Sequence, residues 1–361
     1  VKLLLTILLL VHGLIHLLGF LKAFELGQYP MLNAHIGRAQ GIFWLLGCLF
    51  ILSTAVAFYF NQKLWPWLGL IALIISQILI SLHWSDTKYG AWFNLILVCI
   101  VVPGIGEYVF DKRVSAEVKS LNDSKKIHFM NEEDTINPKF LPPIVSQWLK
   151  NSGGIHSDTI SRVHLLQKGR LRTKPDGKWM PFEAEQWFSI PEPAFLWKTR
   201  VQMFGPFFLT GRDKLITGKG SMEISLLSLI PVVNARDEKG IDEASMTRFL
   251  AEISWFPSAI TQPYISWEAL GPYAAEATFT YEGQSTSGVF TFNEQAEPIS
   301  FEAMRYMKTG ENAKREKWKI RNLSFTSFQG IRIPIKSEVV WELEEGEYHW
   351  LTLEISEINY D

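Results

Sequence analysis

The hydrophobic pattern changes character once along the chain. Up to Phe110 the apolar residues come in unbroken runs; beyond about residue 137 they alternate with polar ones. The runs at 3–21, 39–60, 64–82 and 91–110 are each long enough for a bilayer-crossing helix, which takes about 20 residues. Trp65 and Trp67 open the third run, Trp84 and Tyr89 follow it, and Trp92 and Tyr108 bracket the fourth. Aromatic residues in such flanking places favour the headgroup level. The first run, LLLTILLLV behind Lys2, has the length of a signal peptide. No small-x-small cleavage site follows it and three more spans do, so it is expected to be retained.

The second part reads as strands. Phe182, Ala184, Gln186, Phe188 and Ile190 share one face of a period-two segment, and Phe195, Trp197, Thr199, Val201 and Met203 share one face of the next. Ala275, Ala277, Phe279 and Tyr281 repeat the pattern, as do Ile299, Phe301, Ala303, Arg305 and Met307. Ile331, Ile333 and Ile335 lead into Val339, Trp341 and Leu343, and Leu351, Leu353 and Ile355 close the series. Asp176-Gly177, Glu282-Gly283, Gln329-Gly330 and Glu345-Gly346 suit hairpins between antiparallel neighbours. No strand–helix–strand rhythm appears, which excludes a parallel α/β sheet.

One stretch, MTRFLAEISWFPSAIT at 246–261, breaks the alternation. Phe249, Ile253 and Phe256 fall at i, i+4 and i+7, with Leu250 and Trp255 widening the stripe, and Pro257 ends the helix near Phe256. A lone apolar helix with sheet sequence on both sides is expected to lie across the concave face of a curved sheet. Large rings from the soluble part (Trp148, Trp179, Trp187, Trp197, Trp255, Trp267, Trp318, Trp341 and Trp350) suit the gap such a sheet leaves, with a plain β-sandwich as the alternative. Between the two parts, residues 111–136 are polar, with Lys125-Lys126 and Glu132-Glu133-Asp134, and read as a tether partly helical after Val114. A short helix carrying Ile144, Val145, Trp148 and Leu149 follows Pro142-Pro143 and stops at Gly153-Gly154. The expected architecture is thus a four-helix transmembrane bundle over 1–110, a tether, and an α+β domain over 137–361. In that domain a curved antiparallel half-barrel wraps a helix.

Charge follows the same division. From Leu3 to Phe110 the formal charges are Lys22, Glu25, Arg38, Lys63, Asp86, Lys88 and Glu107 alone. The net charge of −2 over 361 residues argues against a nucleic-acid partner, which needs a concentrated basic surface. With four spans the N-terminus and the large domain share a side, carrying Lys2, Lys63, Lys112, Arg113 and Lys119 against Lys22, Arg38 and Lys88 opposite. By the positive-inside rule both are expected on the cytoplasmic side of the membrane. Cys48 and Cys99 both sit in apolar runs, so no disulfide framework or cysteine zinc site is implied.

Candidate chemistry is sparse. His12 and His16 lie at i, i+4 in the first run, and with His35 and His83 they fall toward one leaflet. Such imidazoles hold haem or metal in some proteins, or simply hydrogen-bond between helices. His128, His156, His164 and His349 have no ligand spacing, and no HExxH, G-x-S-x-G or P-loop occurs. Asp213, within TGRDKLITGKG, is a conceivable acid in what reads as a turn. No catalytic residue and no cofactor is implied. Arg248 and Glu252, four apart, with Arg305 on an otherwise apolar strand face, form the best polar constellation. Either these charges stand at the mouth of an apolar pocket, where Arg pairs with a ligand carboxylate or phosphate, or the Arg–Glu pair pins the helix to the sheet.

A meander of long strands round a helical plug is similar to the LolA/LolB-like lipoprotein-carrier superfamily. More closely, the chain resembles an uncharacterised group of bacterial membrane proteins with that type of domain. The residues behind this are LPPIVSQWL at 141–149, HLLQKGRLR at 164–172, WMPFEAEQWF at 179–188 and FLWKTRV at 195–201. RFLAEISWFPSA at 248–259, MRY at 304–306 and GIRIPIKSEVVWELEEGEY at 330–348 continue it. The likeness spreads over most of 137–361 and implies the fold rather than a chemistry. Those carriers are periplasmic or outer-membrane proteins without four spans, so lipoprotein handling does not transfer, and by that analogy the domain would face the periplasm.

The resulting expectation is a membrane-anchored binding protein whose partners are the lipid bilayer and a lipid or other hydrophobic small molecule. Trp197, Phe249, Trp255, Phe256 and Trp267 would line its cavity, and Arg248, Glu252 and Arg305 would orient the ligand or the helix. The alternative is a membrane redox, metal or haem protein centred on the four histidines, with the β-domain as a docking module. A protein partner at a sheet edge leaves no trace in the sequence.

Overall fold

The computed structural model describes residues 2–30, 32–123, 137–154, 160–308, 310 and 313–361. The apolar runs form helices α1 (Lys2–Ala23), α2 (Arg38–Tyr59), α3 (Trp65–Leu82) and α5 (Gly90–Asp123), each long and apolar enough to cross a membrane. A single turn, α4 (Trp84–Thr87), separates the last two. Small residues let these helices approach: a Cβ on Gly19 would overlap Trp44, and one on Gly41 would overlap Ala23. Of the expected tether, 111–123 are the last turns of α5, and 124–136 lie outside the described residues. Backbone contacts divide the chain into two units, Val1–Arg113 with Leu227–Leu229, and Val114–Leu226 with Ile230–Asp361.

The second unit is built on one antiparallel sheet of 13 strands. Its first half comprises β1 (Arg162–Leu171), β2 (Met180–Ser189), β3 (Ala194–Gln202), β4 (Phe208–Ile216), β5 (Lys219–Leu226) and β6 (Ile230–Arg236). After helix α7 (Lys239–Glu252) come β7 (Ile265–Gly271), β8 (Ala274–Tyr281), β9 (Gln284–Phe292), β10 (Pro298–Tyr306), β11 (Arg315–Phe328), β12 (Ile331–Leu343) and β13 (Gly346–Tyr360). The spatial order runs β6-β5-β4-β3-β2-β1-β13-β12-β11-β10-β9-β8-β7, so the first and last strands pair in the middle. A single sheet replaces the two of a sandwich.

The curvature follows from what α7 touches. It packs against β4, β5 and β6 from one half and β8, β9 and β10 from the other. In a flat sheet β5 and β9, nine places apart in that order, would lie about 43 Å from each other at ~4.8 Å per strand. A helix only about 10–12 Å wide reaches both because the sheet curls round it. Register shifts between Leu166 and Gln167, Ile224 and Ser225, Ala269 and Gly271, Pro298 and Ser300, and Val339 and Val340 mark bulges that bend the strands. Two-residue turns at Thr217-Gly218, Glu282-Gly283 and Gln329-Gly330 have left-handed backbone at both positions, as type I′ hairpins require.

Most inward faces are those the alternation predicts: Phe182, Ala184, Gln186 and Phe188 are buried together along β2. Ile299 is a correction, being 37% exposed, because the bulge beside Pro298 takes it out of phase. The central helix also differs from the expected 246–261. It begins at Lys239, ends at Glu252, and continues as 3-10 turns at Ile253–Trp255 and Pro257–Thr261. Its first turns carry no apolar stripe because they are buried on all sides. The acids there are satisfied by the sheet: Gly220 N–H and Lys219 Nζ each donate to Asp242 at 2.8 Å, and Arg315 pairs with Glu243. Gly220 is required at this crossing, since a Cβ would strike the Ile241 carbonyl and the Ser245 hydroxyl.

Phe188, Phe195, Phe249, Phe256, Phe279 and Tyr264 fill one side of the helix. Helix α6 (Pro143–Asn151) closes that end, with Trp148 packed on Trp267, Phe290 and Phe292. On the other side of α7 the interior is not filled.

Candidate functional site

The unfilled space is a cavity of about 390 Å³ between α7 and strands β1–β5 and β10–β13. Its volume lies near the low end of the usual range for small-molecule sites, about 300–1,000 Å³. Val201, Leu209, Met222 and Ile224 form the wall on one side, and Ile320, Val339, Leu351 and Leu353 the other. Trp197, Trp255, Trp318, Trp341 and Trp350 add five indoles. A larger depression of about 790 Å³ lies elsewhere on the domain, open and walled by Lys168, Arg170, Glu183, Arg200, Lys336 and Glu354. Those residues read as a solvated face, and an open charged groove offers an apolar ligand little shelter from water.

A buried polar cluster crosses the cavity at the last turn of α7. Arg248 Nε donates to Glu252 Oε1 at 2.8 Å and Nη1 donates to Asp213 Oδ2 at 2.7 Å. Gln186 Nε2 donates to Glu252 Oε2 at 2.8 Å, and the Trp197 indole donates to Gln167 at 2.9 Å. The guanidinium carbon also lies 5.0 Å from the Phe195 ring centroid and 4.8 Å from that of Trp197. Burial pushes the Glu252 carboxyl above its ordinary range, outweighing Arg248 and Gln186, which favour the charged form. Burial works against the Arg248 charge as well, but Glu252 and Asp213 together raise its pKa. Asp213 is a correction to the sequence reading. It sits mid-strand in β4, 2% exposed, and the turn comes later, at Thr217-Gly218. Arg248 and Glu252 thus tie α7 to β2 and β4.

Arg305 stands differently. Its Nε donates to the Ala244 carbonyl at 3.0 Å, and its guanidinium carbon lies 4.7 Å from the Trp318 centroid and 5.8 Å from that of Trp341. No carboxylate among the described residues reaches ion-pair distance of it; Asp213 and Glu252 act on it only from farther away. Burial lowers its pKa to about 10, which leaves it charged at neutral pH.

Of the residues singled out from sequence, Trp197, Arg248, Glu252, Trp255 and Arg305 therefore meet in one cavity. Phe249, Phe256 and Trp267 do not. The two phenylalanines point to the filled side of α7 among Phe188 and Phe279, and Trp267 packs at the α6 end with its indole donating to Ile260 O at 3.1 Å. The stripe at i, i+4, i+7 is the packed side; the cavity side of the same helix carries Arg248, Ala251, Glu252 and Trp255. Gln167, Arg172 and Tyr348 line the cavity unforeseen, and Trp318, Trp341 and Trp350, expected only as rings suited to the gap, line it too. An inward-phased polar side chain on an apolar strand face, as at Gln186 and Arg305, was the available signal.

The membrane-type helices hold a separate network. His12 shares a hydrogen bond with Asn94 at 3.1 Å, His16 one with Ser76 at 2.9 Å, and Ser76 donates to Asn94 at 2.8 Å. The His12 and His16 rings lie 4.6 Å apart and Trp44 packs against both His16 and His83, while His83 bonds the Leu79 carbonyl and His35 is exposed. Among the described residues no three His, Cys, Asp or Glu side chains are grouped to hold a metal ion.

The sequence profile described as a family of unknown function, DUF6920, matches residues 139–360. No curated protein matches the chain. Among solved structures it is similar to a domain from Vibrio parahaemolyticus assigned to outer membrane lipoprotein sorting, with 8% identity and a TM-score of 0.37 over 62% of this chain and 94% of that one. It is also similar to a LolA superfamily protein from Nitrosomonas europaea, at 11% identity and a TM-score of 0.35 over 60% of this chain and 93% of that one. A DUF1329 family protein from Desulfovibrio piger shares 10% identity at a TM-score of 0.30, over 61% of this chain and 93% of that one. With the profile spanning more than half of its length, this chain belongs to the DUF6920 family of unknown function.

Proposed function

We propose that the β-domain binds a hydrophobic ligand in the cavity beside α7, and that α1, α2, α3 and α5 hold it at the membrane where such ligands reside. The observation that carries this reading is the cavity itself: about 390 Å³ walled by aliphatic side chains and five indoles in an otherwise close-packed domain. An apolar interior this size without an occupant forgoes dispersion contacts. An alkyl chain entering it gains about 2.5 kcal/mol per 100 Å² of its surface withdrawn from water. By the charge count of the loops the domain lies on the cytoplasmic side of a multi-pass bacterial inner-membrane protein.

The test is photolabelling of the full chain in phosphatidylcholine nanodiscs with an alkyl chain bearing a diazirine, followed by peptide mapping. Adducts are expected at cavity residues such as Met222, Met307 and Trp255, besides those on the lipid-facing helices. Ala251→Phe, which puts a ring into the cavity from α7, should remove the first set and leave the second. Labelling confined to the helices in the unaltered protein would reject the reading.

A further inference from the structure

The cavity has hydrogen-bond donors to spare. Its lining includes four arginines (Arg172, Arg212, Arg248 and Arg305) and three carboxylates (Asp213, Glu223 and Glu252), a formal excess of one positive charge. The carboxylates are already engaged: Arg248 bonds Asp213 and Glu252, and Arg212 bonds Glu223 at 2.8 Å. Arg305 has an acceptor for Nε alone. The indole N–H groups of Trp255, Trp318 and Trp350 are also buried with no protein acceptor, and all three rings line this cavity. Each such buried indole donor costs about 1–3 kcal/mol while unpaired, so three of them round one space, beside a guanidinium bonded through Nε alone, call for a cause. Asp213 Oδ1 is the one carboxylate oxygen of the lining in the same condition, and its partner oxygen is held by Arg248.

We propose that the ligand is a single-chain amphiphile whose anionic headgroup, a carboxylate or a phosphate monoester, is received by Arg305 with the Trp318 indole beside it. The inference rests on the apolar-cavity reading and adds the headgroup to it. A planar guanidinium resting against two neighbouring indoles, whose centroids are 6.4 Å apart, is restricted in place and sheds little entropy on accepting an anion. Its depressed pKa of about 10 still leaves the charge in place at pH 8. The volume admits one chain: at roughly 30 Å³ per water-sized group, about 390 Å³ holds on the order of a dozen methylenes.

The test is competition against the diazirine probe in the same nanodiscs at pH 8, with dodecanoate, dodecyl phosphate and uncharged dodecanol compared at equal membrane-bound concentration. The unaltered protein should prefer an anionic competitor by about 10- to 100-fold, the range for a charge-assisted hydrogen bond. Which of the two anions gains more separates carboxylate from phosphate. Arg305→Met should abolish the preference while dodecanol still competes, and Arg305→Lys should restore part of it. Equal competition by all three, or a preference untouched in Arg305→Met, overturns the headgroup inference and leaves the apolar cavity standing. If Arg305→Met loses dodecanol competition too, Trp318→Phe decides: it keeps the ring, removes the N–H, and must weaken the anions relative to dodecanol. Absence of cavity adducts in the unaltered protein overturns both readings.

Discussion

Replacing Arg248 by Met removes the one cation bonded to both Asp213 and Glu252. The pairs are short, 2.7 Å and 2.8 Å, and the side chains are 15%, 3% and 7% exposed for Arg248, Asp213 and Glu252. Glu252 would keep only Gln186, and Asp213 would be left among apolar walls with Oδ1 already unpartnered. Breaking a buried pair by deleting one partner costs about 3–5 kcal/mol. At about 2–4 °C per kcal/mol for a domain of this size, the midpoint should fall by about 6–20 °C. The pH dependence follows from sign. Without Arg248, burial holds the folded-state pKa of Glu252 further above its unfolded value. The folded state then binds more protons, and the deficit is smallest below the unfolded pKa and grows as pH rises through the folded one. Thermal unfolding of the full chain, followed by tryptophan fluorescence at pH 5 and pH 8, reads both effects. Neutralising the whole cluster (Asp213→Asn, Arg248→Met, Glu252→Gln) should recover much of the loss. A midpoint shift under about 2 °C, or one as large at pH 5 as at pH 8, would refute the reasoning.

Phe249→Ala should cost about 3–5 kcal/mol in the same melt yet leave the relative potency of dodecanoate and dodecanol unchanged, because its ring lies on the filled side of α7. Gly220→Val should destabilise the domain by about 1–3 kcal/mol through overpacking against Ile241 and Ser245, seen as a lower melting midpoint; an unchanged midpoint would mean that α7 can move off β5. For sidedness, a chain with Cys48 and Cys99 replaced and a single cysteine at Lys63 should react with an impermeant maleimide only after spheroplasts are opened. Labelling in intact spheroplasts would place the domain in the periplasm.

The strands are readable because apolar residues dominate their inner faces, and the hairpins because Glu282-Gly283 and Gln329-Gly330 offer the residue types that left-handed turns accept. The helix was half readable. Phe249, Ile253 and Phe256 announce it, but Asp242 and Glu243 disguise its start, since acids inside a core look like surface until the Gly220 amide, Lys219 and Arg315 that neutralise them are known. The site lay further out of reach. The same three apolar residues made the packed face of α7 look like the binding face. Arg172, just past β1, shares a space with Trp318, Trp341 and Trp350 because β1 pairs with β13, a long-range pairing that no local pattern marks. Ile299 shows the same limit at one position: a single extra residue inverts the phase, and alternation carries no mark of it.

The pairing of β1 with β13 has a consequence for synthesis. The seam that unites the two half-sheets is made by β13, and until that strand has been synthesised β1 and β12 each present a bare edge. Pairing between strands so far apart in sequence is slow, and open edges invite pairing with other chains. A nascent chain released short of Gly346 would therefore carry two unzipped ribbons, and its fate would be aggregation or proteolysis rather than a smaller working domain.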